Sequence, residues 1–218
     1  MSGALPCPLR EPAAAEDFEV RELTHADASE WYHVYCTRDY PATRADTFSE
    51  GWGDTRFAPI VTQAGAPVHT CYAASTPEAA YLESVLHDVP LSPPGMFETA
   101  SLAHFHLVRL RLPASLHDVS LHTPYLPGLG IERAHLIDSL PACCPQTRRW
   151  SQAAYLQRAE AQAVGYGSRR DDAARCPMLF KQRLPDPPFE VLQEEPLAVG
   201  ARRAGVLALV RSLELHEV

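Results

Sequence analysis

The stretch "PVHTCYAASTPEAAYLESVLHDV", residues 67–89, decides the fold. Its first part, "PVHTCYAAS" (67–75), reads as a strand, and it runs directly into "STPEAAYLESVLHDV" (75–89). There Ser75 or Thr76 can cap a helix, Pro77 suits its first turn, and Glu78 favours the positive N-terminal end. On a helical wheel Ala79, Leu82, Leu86 and Val89 gather on one side. Glu83 sits on the shoulder of that arc, one turn from Ala79 and one turn from Leu86. A carboxylate at that place either tilts out to solvent or lines a cleft and does chemistry there.

Outward from this step, strands and helices keep mixing. On the N-terminal side, residues 1–17 are rich in Pro and Ala and read as a loosely held arm. "THADASEWYHVYCT" (24–37) reads as a short helix capped by Thr24, and residues 38–67 as mostly loop. On the C-terminal side, "HFHLVRLRL" (104–112) and "HDVSLH" (117–122) read as strands and "IERAHLIDSL" (131–140) as a helix. "QTRRWSQAAYLQRAEAQAV" (146–164) is built from good helix formers, with Gly165 as a natural stop. "CPMLFKQRL" (176–184) and "GVLALVRSLEL" (205–215) read as strands, the second suited to burial on both sides. No repeat appears and no linker divides the chain. The expectation is one mixed α/β (α+β) domain over residues 18–218, preceded by the arm.

Bulk properties narrow the function classes. The 218 residues are 46% hydrophobic and 21% charged, the composition of a soluble globular protein. No apolar run approaches a bilayer span, and the N-terminus lacks the basic start and apolar core of a secretory signal. A formal net charge of −8 argues against a nucleic-acid surface, which needs a basic patch. The expected location is cytoplasmic. The six cysteines (7, 36, 71, 143, 144 and 176) form no C-x-x-C pair, so they read as reduced thiols. His104 and His106 share a strand face but have no third ligand nearby, so no metal is expected.

Familiar catalytic motifs are missing. There is no phosphate loop of the G-x-x-x-x-G-K-[ST] type. "GLGIER" (128–133) lacks the third glycine of a dinucleotide fingerprint, and "GYGSRR" (165–170) is not the G-x-S-x-G elbow. A dispersed set remains: Arg56 in "GDTRFAP", Tyr72 in "HTCYAAS", Glu83, and Ser168 in "GYGSRR". Each also has an ordinary role open to it: a surface ion pair, a core aromatic, a rim carboxylate, a turn cap.

At these places the sequence resembles the RES domain, a family named for its Arg, Glu and Ser. "GDTRFAP" resembles the family's G-x-R-F element, and "VHTCYAASTPEAAYLESVLHDV" its strand ending in Tyr-x-A before a helix carrying Glu. "YGSRRDDAARCPMLF" resembles its late Gly–Tyr–x–Ser element and following strand. The resemblance spans roughly residues 31–184. One place departs: where family members often carry an arginine, near "WYHVY", this chain has His33, whose charge is weaker or absent at neutral pH.

The resemblance implies a curved mixed sheet like that of ADP-ribosyltransferase toxins around a cleft for NAD⁺. It also implies a toxin paired with an Xre-type helix-turn-helix antitoxin. NAD⁺ would be the substrate, with no true cofactor, cleaved at the nicotinamide–ribose bond. Glu83 would stabilise the ribose cation, Arg56 would hold phosphate, and Tyr72 would face nicotinamide. Ser168 would position Glu83 or the nicotinamide amide, and His33 and Tyr35 would contact the dinucleotide. Transfer of ADP-ribose to a protein, a non-catalytic NAD-binding module and a homo-oligomer stay open.

Overall fold

The computed structural model describes residues 7–218. Strands β1 (Val20–Thr24) and β2 (Trp31–Cys36) come first, and an irregular stretch leads to β3 (Thr70–Tyr72) and α1 (Pro77–Leu82). The short β4 (Met96–Phe97) precedes β5 (Phe105–Arg111) and β6 (Ser115–Ser120). Helices α2 (Arg133–Leu136) and α3 (Cys144–Gln157) are followed by β7 (Ala163–Gly167), β8 (Arg175–Phe180) and β9 (Glu190–Pro196). Helix α4 (Gly200–Ser212) and β10 (His216–Glu217) come last.

The strands form a five-stranded sheet in the order β1-β6-β7-β8-β3, a three-stranded sheet β2-β5-β9, and the small pair β10-β4. In the large sheet β6 and β7 are parallel and the other neighbours antiparallel. This is the mixed α/β, single-domain architecture expected. A backbone bridge between Tyr32 and Ala74, with both N–H···O bonds at 2.8 Å, ties β2 to the chain leaving β3. Among the described residues no helix is long and apolar enough to cross a membrane.

Two cores hold the layers together. Trp31, Val108, Leu110, Leu116, Ala163 and Leu179 are contributed by both main sheets and pack between them. The opposite face of the five-stranded sheet, with Val119, Val164, Met178 and Phe180, packs against Leu126, Trp150 and Ala154. Each fully buried leucine or phenylalanine contributes about 1.5–3 kcal/mol. The described part of the N-terminal arm lies on α3: Leu9 is buried, Arg10 covers the Trp150 ring at 4.6 Å, and Trp150 Nε1 donates to the Arg10 carbonyl.

Four local expectations are corrected. Residues 24–37 are not a helix but the end of β1 and all of β2. The buried Trp31 and Tyr35 are four apart, a spacing that serves one helical turn or two strand repeats equally, and pairing with β5 decides for the strand. Residues 205–215 are helical, not a strand: Val206, Leu207 and Val210 are the buried positions, a 3.6-residue rhythm. The helix expected over 146–164 ends at Gln157, and Gly165 lies inside β7. A β-carbon there would collide with the Asp118 carboxylate, so glycine serves close packing, not a helix stop.

The opening helix is also shorter than expected. Thr76 caps it by accepting from Ala79 N, as its sequence implies, but it ends at Leu82 with Glu83 as C-cap. The Ser84 hydroxyl takes the Ala80 carbonyl, and Leu86 N reaches back five residues to Tyr81 O, which breaks the regular ladder. Leu86 is still fully buried, but it reaches the core from a turn and not from the helix wheel. β9 goes unanticipated, since "EVLQEEP" has no apolar periodicity.

Candidate active site

The end of α1 places Glu83 opposite the turn that follows β7. Ser168, wholly buried, donates from its hydroxyl to Glu83 Oε1 at 2.6 Å. The direction of that proton follows from its neighbours: Ser168 Oγ also accepts from Arg170 N (3.0 Å) and Asp171 N (3.2 Å). A hydroxyl has one hydrogen and two lone pairs, so all three are assigned. Arg169 N donates to the same carboxylate oxygen at 3.1 Å. Oε1 is thus occupied, while Oε2 has no hydrogen-bond partner among the described residues.

Two arginines brace this arrangement. Arg170 donates to the carbonyls of Leu86, His87 and Val89 at 2.8–2.9 Å, stapling the segment after Glu83 to the turn containing Ser168. Arg133, from α2, donates to the Ser168 carbonyl at 2.8 Å and pairs with Asp138 and Asp172.

Glu83 borders a cavity of about 360 Å³ whose other walls include Arg56, Tyr72, Tyr166, Asp54, His87 and Cys144. Arg56, Tyr72 and Glu83, far apart in the chain, therefore share one hollow, with Ser168 directly behind Glu83. Phe57 and Tyr166 pack at 4.9 Å, and Tyr72 meets Tyr166 edge-on at 6.5 Å. Burial pushes the Tyr72 and Tyr166 hydroxyls well above the usual tyrosine range, and nearby Glu83 adds to the rise. Both stay protonated donors at neutral pH.

Two of the expected side chains are less available than sequence suggests. The Arg56 guanidinium is committed on one side: Nη1 donates to Leu136 O (3.1 Å) and Ser139 Oγ (2.7 Å), and Nη2 meets Ser139 O at 3.3 Å. Its Nε and the rest of Nη2 have no partner among the described residues, leaving one edge of the fork for a ligand. The Tyr72 hydroxyl is bonded to Thr55 Oγ1 at 2.8 Å.

His33 and Tyr35 do not border the Glu83 cavity. They line an adjoining pocket of about 270 Å³ that shares Thr55 and Tyr72 with it. Burial pulls the His33 pKa down, so the ring is neutral at pH 7. Nδ1 faces the Tyr72 carbonyl at 2.7 Å, and because a carbonyl only accepts, Nδ1 carries the hydrogen. Tyr35 is nearly buried; its hydroxyl donates to Glu194 at 2.6 Å and its ring stacks on His106 at 4.9 Å. Among the described residues no three His, Cys, Asp or Glu side chains gather as a metal site needs.

A family model described as the RES domain matches residues 30–199. The chain belongs to the RES domain family. Of the positions singled out by the RES-like motifs, Arg56, Tyr72 and Glu83 border one cavity, and Ser168 is hydrogen-bonded to Glu83 behind it. No curated protein matches the chain significantly. Among solved structures, the chain is similar to one in the crystal structure of the M. tuberculosis MbcT-MbcA toxin-antitoxin complex. The TM-score is 0.56 at 17% identity, covering 83% of this chain and 88% of that one. At that identity the likeness establishes the fold.

Ser139, Thr55, Tyr166, Arg133 and Arg170 escaped the sequence reading. Thr55 adjoins Arg56 in "GDTRFAP", and Tyr166 and Arg170 flank Ser168 in "GYGSRR", so proximity to a motif was the available signal for those three; Ser139 and Arg133 lie in no such motif.

Proposed function

We propose that this RES domain cleaves NAD⁺ at the nicotinamide–ribose bond and acts as a toxin in the cytoplasm. The observation that carries the proposal is the oriented Glu83 carboxylate, held by Ser168 and Arg169 N through one oxygen and bordering the cavity with the other unpaired. The bond from C1′ to the pyridinium nitrogen breaks with its electron pair going to nitrogen, so the leaving nicotinamide is neutral and needs little acid catalysis. Positive charge builds on the ribose ring, and a fixed carboxylate stabilises it without reorganising. Water then adds to C1′ and loses a proton, giving ADP-ribose; phosphate in place of water gives the phosphorolysis product.

In this scheme the open edge of Arg56 binds a phosphate oxygen. Tyr72 and Tyr166 wall the reacting ribose away from solvent, and Ser168 is a positioning residue that keeps Glu83 aimed. The family and the likeness to a chain of a toxin-antitoxin complex support a toxin role and an antitoxin partner. The Xre-type helix-turn-helix class fits that partner, and an acidic surface would attract a basic one.

The deciding experiment is release of free nicotinamide from NAD⁺ by purified protein, with and without phosphate, alongside Glu83→Gln. Release by the wild type and its loss in the variant support the proposal. No release by the wild type sinks it, and a labelled protein band with labelled NAD⁺ would favour transfer to protein.

A further inference from the structure

We propose that the uncharged aromatic pocket beside the Glu83 cavity is a base-binding subsite for the adenine of the same dinucleotide, closed at its mouth by Tyr40 and Trp52. This rests on the NAD⁺ reading and adds to it which end of the ligand lies where.

The two hollows lie on either side of Thr55 and Tyr72, whose hydroxyls are bonded at 2.8 Å, so a dinucleotide reaching both would lie across that pair. Their chemistries differ. The Glu83 cavity carries the carboxylates of Asp54, Glu83 and Asp88 against Arg56. The adjoining pocket has no Asp, Glu, Lys or Arg in its lining, and burial keeps His33 neutral. In NAD⁺ the nicotinamide ring is cationic and the adenine neutral. The cation gains from the carboxylates, and the neutral purine loses least in the uncharged pocket.

Two exposed aromatic rings lie in the lining of this pocket. Tyr40 and Trp52 stack at 4.4 Å with an interplanar angle of 26°. Both are exposed for large aromatics, at 45% and 39%. Trp52 sits between Gly51 and Gly53, whose φ angles of 94° and 93° other residues rarely adopt. A β-carbon on Gly51 would also press within 3.0 Å of Pro67. The glycines thus hold an exposed indole at the pocket, backed on one face by Tyr40, and its other face is the one a base would stack on.

Calorimetric titration with AMP tests this, since AMP carries adenine and has no bond to nicotinamide. Wild type is expected to bind AMP, and Trp52→Ala to weaken it about tenfold, the scale of one stacked base. Tyr40→Ala, also at the mouth, is expected to weaken AMP in the same direction. Failure of the wild type to bind AMP, or equal affinity in Trp52→Ala, overturns the assignment. So does loss of nicotinamide mononucleotide binding by the same factor, which would give the pocket to the other base. AMP binding without nicotinamide release from NAD⁺ defeats the cleavage reading alone; release without a Trp52 effect on AMP defeats the adenine subsite alone.

Discussion

Ser168 and Glu83, 85 positions apart, are joined by a 2.6 Å hydrogen bond whose donor is fixed by two backbone N–H groups behind the serine. The carboxylate is therefore held before any ligand arrives, and pre-set charge is what stabilises a developing cation most cheaply.

Glu83→Gln keeps the size of the side chain and removes its charge. Nicotinamide release is expected to fall by roughly 10²–10⁴-fold, the scale of a positioned acid–base group. Thermal unfolding should stay within a few degrees of wild type. Undiminished release from a folded variant would remove Glu83 from the chemistry.

Ser168→Ala strips the carboxylate of one donor and leaves the N–H groups of Arg170 and Asp171 without their acceptor. Stability is expected to drop by about 1–3 kcal/mol, the cost of unsatisfied buried donors. Activity should fall further than Arg133→Lys, which loosens the same turn from the other side. Denaturant melts and initial rates on both variants check the order.

Arg170→Met removes three bonds to the carbonyls of Leu86, His87 and Val89. A loss of about 3 kcal/mol is expected, since bonds from a charged donor exceed neutral ones. Amide hydrogen exchange should quicken locally over residues 83–89, because that segment has no helical ladder of its own.

Asp118 supplies a pH signature. Burial pushes its carboxyl up to about 6 from 3.8, with Arg175 and Arg21 opposing the rise and Asp27 adding to it. The folded chain then keeps a proton that the unfolded chain releases, so stability falls as pH rises from about 4 to about 6 and the penalty persists above. Asp118→Asn should remove that slope and stabilise the protein above pH 6 by up to about 3 kcal/mol. Melting temperatures between pH 4 and 8 read it; an unchanged slope in the variant would assign the effect elsewhere.

The strand-to-helix step at 67–89 was legible because cap, proline and first-turn acid act over four residues, and such local chemistry does not depend on the rest of the chain. Where the same local pattern suits two structures, reading failed. Trp31 and Tyr35 fit a helix or a strand, and the apolar run from Val206 to Val210 fits either as well. Gly165 looked like a stop because the Asp118 side chain that requires it comes from another strand.

The candidate site divides in the same way. The RES-like motifs nominated Arg56, Tyr72, Glu83 and Ser168 from residue types and order alone. Sequence thus determined which chemistry is present: one guanidinium, one phenol, one carboxylate, one hydroxyl. Only the folded chain decided how each is used: Oε1 of Glu83 taken and Oε2 left, Arg56 half committed to Ser139, and His33 turned toward a second pocket. Those facts depend on hydrogen bonds between residues tens of positions apart, and no spacing along the chain encodes the direction in which a side chain meets a distant backbone.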